Sequence, residues 1–525
     1  MGDDGITSPE HGTAYWFFTH MRQSFGSVIR RRWKALMTGI FLVFAGMIFG
    51  RTIIQPYVLA LRIRIALIVA IAVIALAGWL WARRGGWFRK FVAFTILALA
   101  VFTAASDWGE EAHRYVALWW RYNTLNIVEL SEMWETCDER IHPLVSIHTV
   151  ARDLVGDDPQ VVTRPTFVRD GSTHRWTMAL EPKYPWTRMF GSVEEVFNVS
   201  ATTAAPSFSG LNRIKVSFQT SQGLLFSRNT HTVTIRRFGL ARFLNYQPSN
   251  VFFMKNDAGE VVQVVSLIRW RGFIFPRPEF GGVHIISQEE DTFVNSITRL
   301  FAGTGYGVQP YEIPKYRFLI GQNILSFETS RYAAESFRFQ EGLTAPLPWR
   351  HIGDIRIPDM PDDMNEQPFT TCFIQPGKGK ALYHYFALEP YGDENRGLNT
   401  SLLIPADGTP IVYADRHAKK GEKFIGSSAV PGKIRENKKH YDWSQNSPTE
   451  SRPYVKRIDG TIRGFWFTTV TTKEGEGRKQ SGNAPEITLT DMTFNAPPVW
   501  VDPLAPHAWI EKLKSELSHA WLQDK

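Results

Sequence analysis

At 525 residues, with a net charge of +8 and a pI near 9.3, the chain is long enough for two or three domains. The basic excess sits in one place: residues 1–105 hold twelve basic and three acidic residues, which leaves residues 106–525 at −1. The bulk of the chain offers no field for a polyanion, which argues against nucleic-acid binding, and two cysteines are too few for a disulfide-dense scaffold.

Three uncharged apolar runs, residues 35–50, 65–82 and 91–106, are 16, 18 and 16 residues long and are separated by arginine-rich joints. They predict a three-helix transmembrane segment over 35–106, each helix slightly shorter than the ~20 residues a bilayer asks for. Arg30, Arg31, Arg32 and Lys34 before the first run, with Arg83, Arg84, Arg89 and Lys90 before the third, predict a cytoplasmic tail over 1–34 and an extracytoplasmic bulk. The expected placement is thus an integral inner-membrane protein with the lipid bilayer as one partner. Arg62 and Arg64, on the predicted outer side, weaken the contrast. Residues 107–144 read as a membrane-proximal amphipathic helical segment, with Trp108, Trp119 and Trp120 available as anchors.

From residue 145 the texture changes to short alternating runs broken by Pro, Gly, Asn and Asp, the signature of strands and turns. The expectation is a mainly-β, sandwich- or barrel-like α+β region: a first domain over 145–344, a Pro-rich acidic linker or crossing loop over 345–368, and a second domain over 369–525. Residues 250–255 and 260–270 flank the turn Asn256-Asp257-Ala258-Gly259 and predict a hairpin; residues 230–236 and 272–275 are also read as strands. Helices are predicted over 289–301, 327–339 and 507–523, the last amphipathic through Trp509, Leu513, Leu517 and Trp521. Ala179-Leu180-Glu181-Pro182 and Ala387-Leu388-Glu389-Pro390 each follow an aromatic strand-like run, which hints at two related β modules.

No phosphate-cradling loop, zinc helix or nucleophile elbow is present. The best candidate cation site is the loop with Asp354, Asp359, Asp362, Asp363, Asn365 and Glu366, whose oxygens could wrap Ca²⁺; a solvated acidic loop would need no ligand. Glu389, Asp393 and Glu394 form a second acidic cluster, and the two together would have the carboxylates that glycoside hydrolysis needs. Ser427, Ser428 and Lys433 do not have the spacing of a Ser/Lys pair. Trp270, Arg271, Phe273, Phe275, Arg277 and Phe280 combine aromatics and arginines in the manner of an interaction surface. Cys137 and Cys372 are either bridged or two separate buried thiols.

These features predict a membrane-anchored, non-catalytic subunit of a cell-envelope assembly whose β region binds other membrane or envelope proteins, or a second copy of itself. A membrane-tethered hydrolase of envelope polymers, using the clustered carboxylates, is the alternative. An accessory subunit of a transporter or channel is the third.

Overall fold

The computed structural model describes residues 33, 37–38, 50–83, 85–105, 107–137, 144–155, 160–171, 173–201, 211–239, 242–347, 349–351, 353–359, 367–392, 397–458, 460–474, 479–480, 486–493 and 497–501. By contacts the chain falls into residues 1–57 and 58–525, and every sheet lies in the second unit.

The expected membrane segment is not borne out. Among the described residues no helix is long and apolar enough to cross a membrane. The first run lies almost wholly outside the described residues, while the other two form helices Ile65–Arg83 and Trp87–Ala105. Charge limits both: the stretch between Arg64 and Arg83 covers about 27 Å at ~1.5 Å per residue, and Arg89 and Lys90 leave the other about 22 Å, against ~30 Å of hydrocarbon. The arginines read as topology markers do structural work instead. Arg62 donates to the carbonyls of Leu244 (3.0 Å), Trp270 (3.2 Å) and Gly272 (2.9 Å), and Arg64 pairs with Glu110. Integral placement with a cytoplasmic N-terminus therefore loses its support. Val73, Leu76 and Leu80 on one helix and Phe91, Phe94 and Leu99 on the other are exposed.

The remainder is mainly β, and it repeats. Strands Gln160–Val162, Thr166–Asp170, Thr173–Pro182, Val193–Ser200 and Leu211–Phe218 make one antiparallel sheet, followed by helix Thr230–Arg237. A second sheet of Tyr246–Lys255, Val261–Arg271, Arg277–Ile286 and Tyr306–Val308 completes a first module. The same order recurs about 200 residues later: Ile355–Arg356, Phe369–Gln375, Gly379–Pro390, Thr400–Pro405 and Val412–Asp415, then helix Val430–Asn437. The second sheet of this copy is Asn446–Ile458, Thr461–Glu474, Glu486–Asp491 and Val499–Val501.

Register makes the repeat specific. The central strands Thr173–Pro182 and Gly379–Pro390 pair at their far ends with Gln160–Val162 and Ile355–Arg356. Their near ends pair with Thr166–Asp170 and Phe369–Gln375. Each long hairpin carries a bulge just past a proline, between Pro248 and Val251 in one copy and between Thr449 and Arg452, after Pro448, in the other. Both matching glutamates are buried and tether a serine loop that precedes the helix. Glu181 accepts from Ser221 Oγ and from Gly223 N (2.9 Å), and Glu389 from Ser427 Oγ (3.3 Å), Ser428 N (3.0 Å) and Ser428 Oγ. A Cβ on Gly223 or Gly426 would lie within 2.3 Å of the glutamate carboxylate, so a larger residue at either position has to displace that carboxylate from the loop. The Ala-Leu-Glu-Pro phrase thus marks corresponding positions in two modules of like strand order and register.

Helix Thr230–Arg237 corrects the predicted strand at 230–236. Its alternating Thr and Val residues imitate a strand, but Asn229 accepts from Thr232 N (3.1 Å) and caps a helix start. Residues 272–275 form the turn of a hairpin rather than a strand of their own. The predicted hairpin around Asn256 is present, its turn closed by Asn256 Oδ1 accepting from Ala258 N (3.0 Å) and Glu260 N (2.9 Å). The predicted helix at 507–523 lies outside the described residues.

Before the first module, helix Asp107–Asn123 leads into an extended strap over residues 127–137 that crosses the second module. Strand Ile127–Glu129 pairs parallel with Val412–Asp415, Thr136 N donates to Val455 O (2.9 Å), and Cys137 N donates to Cys372 O (3.0 Å). A disulfide joins Cys137 to Cys372, with Cα atoms 5.4 Å apart, inside an apolar cluster with Met178, Phe197 and Leu382. The open alternative about these cysteines is resolved in favour of the bridge.

Candidate functional site

Of the acidic loop, Asp362, Asp363 and Glu366 lie outside the described residues, and Asp359 is exposed. Asp354 is buried and already engaged by Arg356 at 2.9 Å, Arg338 at 3.7 Å and His351 Nδ1 at 3.0 Å. The ladder does bring the two acidic segments onto adjacent strands, Ile355 facing Pro390 and Arg356 facing Glu389. Asp354 serves the arginines and Glu389 the serine loop, so neither carboxylate is poised over an open site.

The aromatic and arginine residues of the predicted surface are mostly engaged internally. Trp270 Nε1 donates to Gln247 (3.0 Å), and Arg271 and Arg277 both reach Glu279, at 3.4 and 3.3 Å. Phe275 lies against His113, their rings 5.4 Å apart, and burial holds that imidazole below its usual pKa. Phe280 packs into the core, leaving Phe273 at 71% exposure on the hairpin tip. These residues anchor the preceding helices to the first module.

The groups that sequence reasoning missed lie in the cleft between the two sheets of the second module. Ser401 Oγ lies 2.9 Å from His417 Nε2, and His417 Nδ1 lies 2.8 Å from Glu422 Oε2. We assign Nδ1–H to Glu422, so that Nε2 accepts the Ser401 hydroxyl, the order of a Ser-His-carboxylate triad. Tyr385 OH adds a contact to Ser401 Oγ (2.9 Å), and burial pushes its phenol well up, keeping it protonated. Asp415 faces Ser401 across the ladder and takes the Lys420 ammonium at 2.6 Å.

As a metal centre, Asp415, His417 and Glu422 would bring three ligand atoms within 4.8 Å of one another. Lys420 already supplies the positive charge there. As a nucleophilic site the cluster has its serine and imidazole covered, with only Glu422 exposed among the three triad groups. Ser401 and His417 are buried, and the strap lays Leu130, Met133 and Trp134 beside Ser401. The space beside Ser401 is about 10 Å³, the size of one water and too small for an acyl group unless side chains move. The signal in sequence was thin: Asp415-Arg416-His417 and a serine 16 residues earlier, joined only by strand register.

The repeat gives a built-in control. Aligning Ala179 with Ala387 places Val196 and Ile214 of the first module where the second has Ser401 and Asp415. The neighbouring row reads Thr166, Thr177, Asn198 and Asn212 in the first module and Phe369, Tyr385, Leu403 and Tyr413 in the second. The polar cluster is therefore not a demand of the module's architecture. In the first module the matching cleft is open, a groove of about 550 Å³ whose floor includes Thr177, Val196, Asn198 and Met254.

Comparison with protein-family models, with curated proteins and with solved structures finds no match to this chain.

Proposed function

We propose that this protein is a non-catalytic binding subunit: a duplicated β scaffold that holds protein partners in an assembly. The observation that supports it best is the contrast between the clefts, one sealed around its only triad-like cluster among the described residues and the other open. A hydrolase reading has the Ser401 and His417 distances in its favour, but it requires a substrate to displace Trp134 from the core.

Two measurements test the reading. A fluorophosphonate probe leaves Ser401 of the native protein unlabelled, whereas stoichiometric labelling of that serine would establish a reactive nucleophile and overturn the proposal. Size-exclusion of the full chain, isolated gently from its source, gives a complex with at least one other chain in fixed ratio. A lone monomer at the chain's own 59.9 kDa counts against an assembly role.

A further inference from the structure

The second module shows what its inter-sheet cleft is built to receive. The strap enters as a parallel strand on the edge of Val412–Asp415, drops Leu130, Met133 and Trp134 into the cleft, and leaves along the second sheet, where Lys456 Nζ donates to Thr136 O at 2.8 Å. Its three glutamates meet arginines on the rim: Glu129 with Arg416 (2.8 Å), Glu132 with Arg457 (3.6 Å) and Glu135 with Arg457 (3.3 Å).

The first module keeps the receiving features and lacks the occupant. Among the described residues no strand covers the equivalent edge of Leu211–Phe218. Lys255 stands at the register position of Lys456, and its ammonium makes no hydrogen bond or ion pair among the described residues. The acids beside it are engaged: Asp170 with Arg175 (3.1 Å), and Asp257 with the backbone N–H groups of Arg317 (3.2 Å) and Phe318 (3.1 Å). That leaves a rim whose uncommitted charge is cationic. Asn198, 7% exposed on the groove floor, has a side-chain oxygen with no hydrogen-bond partner among the described residues, where the second module has Leu403 packed against the strap. An orphaned buried acceptor is costly until a donor arrives, and an extended peptide carries one at every residue. One wall is preformed, since Gln322 clamps Arg169 by two backbone hydrogen bonds of 2.8 and 2.7 Å. Arg169 stands where the second module has Cys372, so an occupant here is not covalently retained.

We propose that the open cleft of the first module binds an extended segment of a partner protein, acidic and apolar in alternation, laid down as residues 127–137 are laid down in the second module. The proposal rests on the binding-subunit reading and names the site and the chemistry of the partner. Main-chain pairing at a sheet edge would supply affinity, and the cleft and cationic rim would supply specificity.

The probe is a fluorescein-labelled peptide of residues 126–136, Asn-Ile-Val-Glu-Leu-Ser-Glu-Met-Trp-Glu-Thr, titrated into the full oxidised chain and followed by anisotropy. Saturable binding is expected, weakening as salt rises from roughly 50 to 500 mM. Lys255→Glu and Ile320→Asp, both surface changes on the groove rim, are each expected to weaken it by roughly tenfold or more. A peptide with its three glutamates changed to lysine should not bind. Absence of binding at about 1 mM peptide overturns the proposal. Equal binding to the wild type and both variants also overturns it, because the peptide would then sit elsewhere, as by exchange with the chain's own strap. If the peptide fails while the chain still elutes in a fixed-ratio complex, the groove is refuted and the binding-subunit reading stands.

Discussion

The two modules share strand order, register, bulges and a buried glutamate that ties a serine loop, yet they treat the space between their sheets in opposite ways. The second fills it with aromatic side chains, a hydrogen-bonded Tyr385–Ser401–His417–Glu422 chain and a strap locked by a disulfide. The first leaves it open, with Asn198 where the second has Leu403. Since the scaffold tolerates both solutions, neither set of cleft residues is needed to make the fold. One copy buries its cleft residues, while the other leaves a groove of about 550 Å³.

The sharpest way to break this contrast is to release the strap. Cys372→Ser opens a loop that spans 235 residues, and chain-entropy reasoning gives a loss of about 5 kcal/mol for a closure of that length. A large fall in the urea midpoint is expected, with the loss concentrated in the second module. Hydrogen exchange checks the location: amides of Val412–Asp415 should lose protection before those of Val261–Arg271, a first-module strand outside the cluster around the bridge. Equal loss in both modules would mean that the strap does not distinguish them. A step smaller is Trp134→Ala, which empties the cleft under an intact bridge. Removal of a buried Trp costs about 3–5 kcal/mol, and Ser401 should then become reactive toward the fluorophosphonate probe as its cover is lost.

Acid tests the modules where they are alike. Each holds one deeply buried histidine with a strongly lowered pKa. Burial brings His284 down to about 4 and His384 to about 3, His284 being partly offset by its 2.8 Å contact with Thr304 O. Both are neutral in the folded state at pH 7, while in the unfolded chain they titrate near ~6.5. Below that pH the unfolded state binds more protons, so stability is full above ~6.5 and falls progressively down to the folded-state values. At pH 5 the loss is about 2 kcal/mol per histidine. Urea titrations between pH 7 and pH 5 check the slope, and His384→Gln should remove that ring's own share, about 2 kcal/mol over the interval. An unchanged slope would show that the ring, which meets Asn323 and Phe327 on the face away from the cleft, is solvated in the folded protein.

Much of the scaffold was legible in the sequence, because strands, turns and the Ala-Leu-Glu-Pro phrase are local patterns. The hairpin around Asn256 could be read directly, as could the helix near Phe293–Phe301. Thr230–Arg237 could not, since β-branched alternation outweighs a single capping Asn in a window that short. The apolar runs were misread because composition reports that a helix is greasy, while Arg62 and Arg64 turn out to hold backbone carbonyls and a glutamate in the fold. The clefts were invisible for another reason: Ser401, His417, Trp134 and Asn198 meet their neighbours through strand register and a chain crossing of some 280 residues, and no periodicity encodes either.

The smallest expected effect bears most directly on the comparison. Asn198→Leu gives the first module the residue that the second module carries at the same position. The wild-type amide buries an oxygen without a partner, which in a folded chain costs on the order of 1–3 kcal/mol relative to a satisfied group. Leucine removes that cost and adds apolar contact with Val196 and Met254 on the groove floor, so the variant should be more stable than wild type by about 1 kcal/mol. Urea denaturation measures the gain. A destabilised variant would show that the amide is satisfied in solution, by water or by a shift of the groove wall, and would remove one support for a peptide donor there. A stabilised variant that also loses affinity for the residue 126–136 peptide would place the two properties on the same atom: an oxygen kept at the expense of stability because a ligand uses it.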